Sequence, residues 1–174
     1  MLISREYLRQ QRALHRSNVY GAASRKWAHV VANAIELWQP RTILDYGAGK
    51  CALREALGPE VLAGRKFKEY DPAVPELEKV PGGVFDLVVC IDVLEHIEPK
   101  CLDEVLNHLT GKTKTHALLT VHTGPAGKTL KDGRNAHLIQ KPIEWWRERI
   151  QARMDVIDTG MVATTAYLQC LRRG

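Results

Sequence analysis

The sequence predicts an open α/β sheet, mostly parallel, with helices on both sides and an antiparallel hairpin at the C-terminal end. Three observations predict it. An apolar strand at Ile43-Leu44 runs into a two-glycine turn, Asp45-Tyr46-Gly47-Ala48-Gly49-Lys50-Cys51, and then into a short helical segment. Strand-like and helix-like segments alternate from there to about residue 153, the pattern of a doubly wound parallel sheet. Two strand-like runs, Asp155–Val162 and Thr165–Leu171, then follow one another across a tight turn, and strands joined so closely must be antiparallel.

Ile3–Leu14 is predicted as a first helix, with Tyr7, Leu8 and Leu14 as its apolar positions, and His15–Gly21 as a loop turning at Tyr20-Gly21. Ala22–Trp38 carries a continuous helical stripe of Trp27, Val30, Val31, Ala34, Ile35 and Trp38, which reads as core packing and not as a ligand cage. Gln39-Pro40 ends that helix. After the glycine turn, Ala52–Leu57 is a short helix with Gly58 as its C-cap. Residues 66–70 form a second strand ending at Asp71-Pro72, and Phe85–Ile91 is a near-continuous apolar strand suited to burial on both faces. A helix from Pro99 to Leu109 places Leu102, Val105, Leu106 and Leu109 inward, and His116–Val121 is the next strand. Thr123–Ala136, rich in glycine and lysine, is a loop over the carboxyl edge of the sheet, and Pro142 opens a helix that runs to about Arg153.

With 174 residues the chain suits one domain, residues 1–40 forming a helical cap and residues 41–174 the core. No run approaches membrane-spanning length and no apolar signal core opens the chain, so a cytoplasmic location is expected. The four cysteines lie far apart, without the paired spacing of zinc or redox sites. The net charge of +5 sits wholly at the front, because residues 1–41 hold seven Lys/Arg against two Asp/Glu and the rest is balanced. Arg5, Arg9, Arg12 and Arg16 share one helix side, read as a solvated face in preference to an anion-attracting one.

The chemistry is concentrated at strand exits. Bare backbone at Gly47 and Gly49, beside a helix start, is where nucleotide-like ligands dock. The acid at Asp45 would repel a pyrophosphate but suit the ammonium of S-adenosylmethionine. Asp71, 24 residues past Gly47, stands where an acid accepts hydrogen bonds from ribose hydroxyls; its alternative role is a turn cap before Pro72. Beyond the third strand come Asp92-Val93-Leu94-Glu95-His96-Ile97, with Asp92, Glu95 and His96 at the spacing that aligns them on one side of a helix start.

Together the glycine turn, the acid ending the second strand, and Phe85-Asp-Leu-Val-Val-Cys-Ile-Asp-Val-Leu-Glu-His-Ile97 resemble the class I S-adenosylmethionine-dependent methyltransferases, in particular small ones of bacterial and phage genomes. The resemblance covers about residues 41–171. It implies a Rossmann-like seven-stranded sheet whose last strand is antiparallel, and a single methyltransferase domain. It implies further that Asp45, Tyr46, Gly47, Ala48, Gly49, Lys50, Tyr70, Asp71, Pro72, Asp92 and Val93 bind the cofactor, S-adenosyl-L-methionine. Two departures stand out. Cys51 replaces a third glycine, and only 14 residues separate Asp71 from Phe85, which points to a missing edge strand and leaves the adenine contacts unassigned.

His137 is the candidate general base, with Glu95 and His96 beside it, and Tyr20 could join them if the N-terminal segment folds over as a lid. Some methyltransferases, the small-RNA 2′-O-methyltransferases and ubiquinone-pathway O-methyltransferases among them, hold a divalent cation on a similar group. By that likeness Asp92, Glu95, His96 and His137 are possible ligands, against the plainer reading that they only line the pocket. The same likeness favours O-methylation over N-methylation. The segments typical of amino-directed and cytosine-C5 DNA methyltransferases are absent. A small-molecule, glycan or nucleotide acceptor is therefore expected, with an anionic group suggested by Lys128, Lys131 and Arg134; nucleic acid is not favoured and no membrane contact is expected. Two rivals remain: a non-catalytic subunit that binds the same cofactor, and a triphosphatase built on Gly124-Pro-Ala-Gly-Lys-Thr129, which lacks the required glycine at His122. A dehydrogenase fits poorly, since Ala52 stands where its fingerprint needs glycine.

Overall fold

A computed structural model describes residues 1–16 and 20–174; the middle of the expected loop, residues 17–19, lies outside the described residues. Among the described residues, six strands form one sheet: β1 (Thr42–Tyr46), β2 (Lys66–Tyr70), β3 (Phe85–Ile91), β4 (Thr113–His122), β5 (Met154–Val162) and β6 (Thr165–Arg172), in the order β2-β1-β3-β4-β6-β5. The first four are parallel, and β6 runs antiparallel to both β4 and β5. Residues 72–84 contain only a short 3-10 turn at Pro75–Leu77, so the edge strand that the spacing left out is absent. β2 is therefore an open edge, and its exposed Lys66 and Lys68 discourage pairing with another chain.

Alternation along the central strands divides the interior in two. Val88 and Cys90 face a core with Leu102, Leu106, Leu109 and Trp146, whereas Leu87, Val89 and Ile91 face a core with Val31, Ile35, Leu53 and Leu57. Burial on both faces explains why Phe85–Ile91 is apolar almost without interruption. Among the described residues, α2 (Ala28–Trp38), α3 (Ala52–Leu62), α4 (Leu102–Lys112) and α5 (Ile143–Gln151) cover these faces, and α1 (Arg5–His15) lies apart from both. None is long and apolar enough to cross a membrane.

Several boundaries differ from those expected. α1 starts later because Ser4 caps it, its hydroxyl accepting from the Tyr7 amide at 3.3 Å. The single helix expected over Ala22–Trp38 opens instead as a 3-10 turn, Ala23–Trp27, which turns Ser24 and Trp27 inward. Gly58 does not end α3; it kinks it at φ 72°, and Pro59 restarts the helix to Leu62. A 3-10 turn at Pro99–Cys101 delays α4 to Leu102, and Pro142 is the residue before α5 rather than its first.

A third, smaller cluster lies over the carboxyl edge of the sheet. Tyr7 of α1 packs there with Leu130 and Ala136 from the long loop, supported by Ile3, Leu14, Ala126 and Leu138. The N-terminal helix is tied down by polar contacts as well: Ser4 donates through its amide and hydroxyl to Glu98, at 2.8 and 2.9 Å.

Candidate active site

β1 delivers the chain to the glycine turn, where Gly47 and Gly49 take φ of 84° and 54°. Space also demands glycine at both positions. A Cβ on Gly47 would lie 2.4 Å from a Val93 methyl, and one on Gly49 would lie 2.4 Å from the Gly21 carbonyl oxygen. The five amides of the turn are all engaged internally. Gly47 and Ala48 donate to the Tyr70 carbonyl, Gly49 to Asp71 Oδ2 at 2.9 Å, Lys50 to the Gly21 carbonyl, and Cys51 to the Ala48 carbonyl. Phosphate recognition needs a nest of unpaired amides, which this turn lacks. Its approachable surface suits a nucleoside without phosphates.

Asp71 follows β2 and is buried, with Oδ1 accepting from the Ala73 amide at 2.8 Å. Each carboxylate oxygen keeps a further lone pair, so the two amide bonds leave capacity for hydroxyl donors. Asp71, Tyr70 and Pro72 all border the central cavity. Asp45 does not. Strand alternation puts Leu44 and Tyr46 into the α4 side of the sheet, so Asp45 points the other way, buried near Glu69, Asp71 and Arg54. Neither of its oxygens has a partner, and burial pushes its pKa up to about 8. Ala48 and Lys50 also lie off the cavity wall, Lys50 Nζ donating to the His15 carbonyl instead.

The third strand ends differently from the expected helix start. Asp92 adopts φ 53°, and Leu94–His96 is a 3-10 turn. The helical spacing of Asp92, Glu95 and His96 is therefore broken. Asp92 turns toward Thr120, accepting its hydroxyl at 2.6 Å, and pairs with Lys26 Nζ at 2.9 Å. Glu95 is fully buried; Oε1 accepts from the His122 amide at 2.8 Å and Oε2 has no partner. Burial, reinforced by the Asp92 charge, pushes its pKa up to about 8.

Glu95 meets His96 and His137, each offering one ligating atom within 4.8 Å of the others. The histidine tautomers are fixed by their neighbours. His96 Nδ1 lies 2.8 Å from the Ala136 carbonyl and His137 Nδ1 lies 2.7 Å from the Gly124 carbonyl. A carbonyl only accepts, so both Nδ1 atoms carry the proton and both Nε2 atoms keep a lone pair. Burial lowers both pKa values, to about 4 for His96, and favours neutral rings. Either histidine can therefore accept a proton at Nε2, and the donor set of the trio also fits a divalent cation, because Glu95 Oε2 is an orphaned buried oxygen beside two free imidazole lone pairs. Asp92 is not among the three.

These elements enclose a cavity of about 640 Å³ at the carboxyl ends of β1 to β4. Its floor comprises Tyr46, Gly47, Gly49, Tyr70, Asp71, Asp92 and Val93, and its far end Glu95, His96, His122 and His137. The cover consists of Tyr7, Gln11, His15 and Tyr20 from the N-terminal segment and Pro125–Lys128 from the long loop. A hydrogen-bond chain links the cover to the far end: Tyr20 Oη donates to Gln11 Oε1 at 2.9 Å, Gln11 Nε2 to Tyr7 Oη at 2.6 Å, and Tyr7 Oη to the His96 carbonyl at 2.5 Å. Lys128 Nζ sits 5.4 Å over the Tyr20 ring. Residues 124–129 form an irregular loop with no helix after them, unlike a phosphate-binding loop.

Sequence reasoning missed Gln11, His15, Ser24, Lys26 and His122 as cavity residues. The spacing of Tyr7 and Gln11, one helical turn apart, was the available signal for one cover face; Ser24 and Lys26 carry none.

A family model described as a methyltransferase domain matches residues 19–159. No curated protein matches the chain. Among solved structures, the Burkholderia thailandensis 1,6-didemethyltoxoflavin-N1-methyltransferase, with 1,6-didemethyltoxoflavin and S-adenosylhomocysteine bound, has a TM-score of 0.69 at 17% identity, over 97% of this chain and 90% of that one. The mitomycin 7-O-methyltransferase has a TM-score of 0.69 at 12% identity, over 94% of this chain and 61% of that one. Human N-acetylserotonin methyltransferase in complex with S-adenosylmethionine has a TM-score of 0.62 at 15% identity, over 97% and 56%. The chain thus spans little more than half the length of the last two, and the likeness to all three is one of fold.

Proposed function

The chain belongs to the methyltransferase-domain family, and we propose that it uses S-adenosyl-L-methionine to methylate an oxygen or nitrogen of a small-molecule acceptor, oxygen being preferred. One observation carries the cofactor reading: the glycine turn spends all five amides internally, yet presents bare backbone beside the Asp71 carboxylate in a cavity of about 640 Å³. That volume lies within the usual range for ligand pockets, roughly 300–1,000 Å³, and leaves room for an acceptor beyond the nucleoside. The similar folds solved with S-adenosylmethionine or S-adenosylhomocysteine support the same cofactor.

When bound, the cofactor supplies a methyl carbon made electrophilic by its sulfonium. The remaining work falls to this chain. Asp71 holds the ribose and the Gly47–Gly49 backbone the methionine end. Residues 1–40 and the loop over the site form a cap that excludes water, and residues 41–174 form the catalytic core. At the far end His137 Nε2 accepts the acceptor's proton, while His96 and Glu95, both neutral at pH 7, orient it. Alignment of nucleophile and methyl contributes most of the acceleration in such a site. Lys128, held over the Tyr20 ring at the mouth, favours an acceptor with an anionic group.

A divalent cation on Glu95, His96 and His137 is the second reading, favoured by the 4.8 Å grouping of their donor atoms. It would lower the pKa of an acceptor hydroxyl. Incubation of a cell extract with protein and methyl-labelled S-adenosylmethionine, read by mass spectrometry, tests the main reading. A labelled small-molecule product is expected, lost with chelator only if the cation reading holds. Tight cofactor binding with no labelled product across extracts would favour the non-catalytic alternative.

A further inference from the structure

His122, the last residue of β4, meets two members of the trio at the far end of the cavity. Its backbone amide donates to Glu95 Oε1 at 2.8 Å, and its ring lies beside that of His137, the centroids 4.8 Å apart. The ring is held at both nitrogens. Nδ1 lies 3.1 Å from the Gly124 amide nitrogen and 3.1 Å from the Gly124 carbonyl oxygen, and Nε2 lies 2.8 Å from Thr164 Oγ1. An amide can only donate, so Nδ1 meets the Gly124 N–H with its lone pair, and Nε2 carries the proton and donates to the Thr164 hydroxyl. The other tautomer would set two N–H groups against each other and strand the Gly124 amide. The Gly124 carbonyl is satisfied in its turn, because it accepts from His137 Nδ1 at 2.7 Å. His122 and His137 thus take opposite tautomers with Gly124 between them. Thr164 is placed by the turn that joins β5 to β6, where its carbonyl accepts from the Thr123 amide at 2.9 Å and the Thr123 hydroxyl at 3.0 Å.

Resting on the reading of His137 as the base, we infer that His122 is a positioning residue: anchored on Thr164, it fixes the Gly124 peptide whose carbonyl keeps the proton of His137 on Nδ1 and leaves Nε2 open to the acceptor. The hydrogen bond at one ring nitrogen decides which form the other takes. Gly124 has no side chain to set its own dihedrals, so the bond to His122 does that work. Without the His122 ring the Gly124 amide loses its acceptor and the peptide can turn. His137 is then free to take either tautomer, and in one of them Nε2 already carries a proton and cannot accept another. Substitution at His122 leaves its backbone bond to Glu95 in place, so the loss falls on His137. Three hydrogen bonds in series carry the effect from Thr164, exposed at the tip of the β5–β6 hairpin, through His122 and Gly124 to the base.

Long-range proton–nitrogen correlation spectra of metal-free protein with isotopically labelled histidine tell a protonated ring nitrogen from a bare one. Wild type should show His137 protonated at Nδ1 and His122 protonated at Nε2. His122→Ala should move His137 to the averaged signals of exchanging tautomers. The same variant should slow incorporation of labelled methyl into the cell extract by about 10- to 100-fold, the usual cost of losing a hydrogen-bond partner behind a functional histidine. His122→Asn, whose side-chain oxygen can stand where Nδ1 stands, should return both readouts toward wild type. Thr164→Val, a change at an exposed site that leaves the fold intact, should give His122 mixed signals and a smaller shift of the same kind at His137. An unchanged His137 in the alanine and valine variants, no rescue by asparagine, or a wild-type His137 protonated at Nε2 would each overturn the positioning role. An extract that takes up no label with wild type would instead remove the methyl-transfer reading, and the spectra would still decide whether His122 places His137.

Discussion

Asp45→Asn tests how the glycine turn is supported from behind. Asp45 is fully enclosed without a partner, and burial raises its pKa from 3.8 to about 8, with the charges of Glu69 and Asp71 adding to the rise. The folded chain therefore keeps a proton that the unfolded chain releases above about pH 4. Because the folded pKa is the higher one, this contribution is complete below about pH 4 and is lost progressively as pH rises to about 8. The slope cannot exceed about 1.4 kcal/mol per pH unit, so the ceiling between pH 4 and 7 is roughly 4 kcal/mol. Glu95, also raised to about 8 by burial, adds a second slope of the same sign. Asparagine keeps the size of Asp45 and cannot ionise. It introduces an amide that costs about 1–3 kcal/mol if unpaired, but that cost does not vary with pH. Urea unfolding of the cofactor-free protein at pH 5, 6, 7 and 8 should show the variant's stability changing with pH by up to about 1.4 kcal/mol per unit differently from wild type, the falling component of Asp45 being removed while the slopes of Glu95 and of the buried histidines stay in both proteins. Coincident slopes would show instead that Asp45 titrates alike in the folded and unfolded chains.

Asp71→Ala should lower S-adenosylhomocysteine affinity by at least about 100-fold in calorimetry, as more than one charged hydrogen bond is lost, with the far-UV circular dichroism unchanged; retained affinity would remove the ribose assignment. His137→Ala should bind S-adenosylhomocysteine like wild type yet lose about 10²- to 10⁴-fold in turnover of the labelled acceptor, and full turnover would clear His137 of a catalytic role. Gly49→Ala meets both a left-handed φ of 54° and the Gly21 carbonyl at 2.4 Å. It should lose about 1–2 kcal/mol or more of stability in urea unfolding, and an unchanged midpoint would contradict the seating of the N-terminal segment on the turn.

The parallel core was legible because burial on both faces leaves a mark in sequence. β2 and β3 begin and end at the residues expected, and the short interval before Phe85 disclosed the missing edge strand. The cavity wall was legible where backbone chemistry dictates residue type, as at Gly47, Gly49 and Asp71. It was less so where side-chain direction decides. Asp45 falls on the wrong side of an alternating strand to reach the cavity, and the left-handed turn at Asp92 breaks a spacing that matched a helix. The cover was least legible: Tyr7 reads as an ordinary apolar position, and nothing in Ser24 or Lys26 signals that a 3-10 turn carries them onto the glycine turn. Long-range seating of that kind leaves no local pattern.

In a crystal grown with S-adenosylhomocysteine, the adenosyl group should lie across the tips of β1 and β2, with its ribose hydroxyls on the Asp71 carboxylate and its amino-acid end over Gly47–Gly49. An empty cleft at saturating ligand, or an adenosyl group bound away from Asp71, would contradict the cofactor assignment.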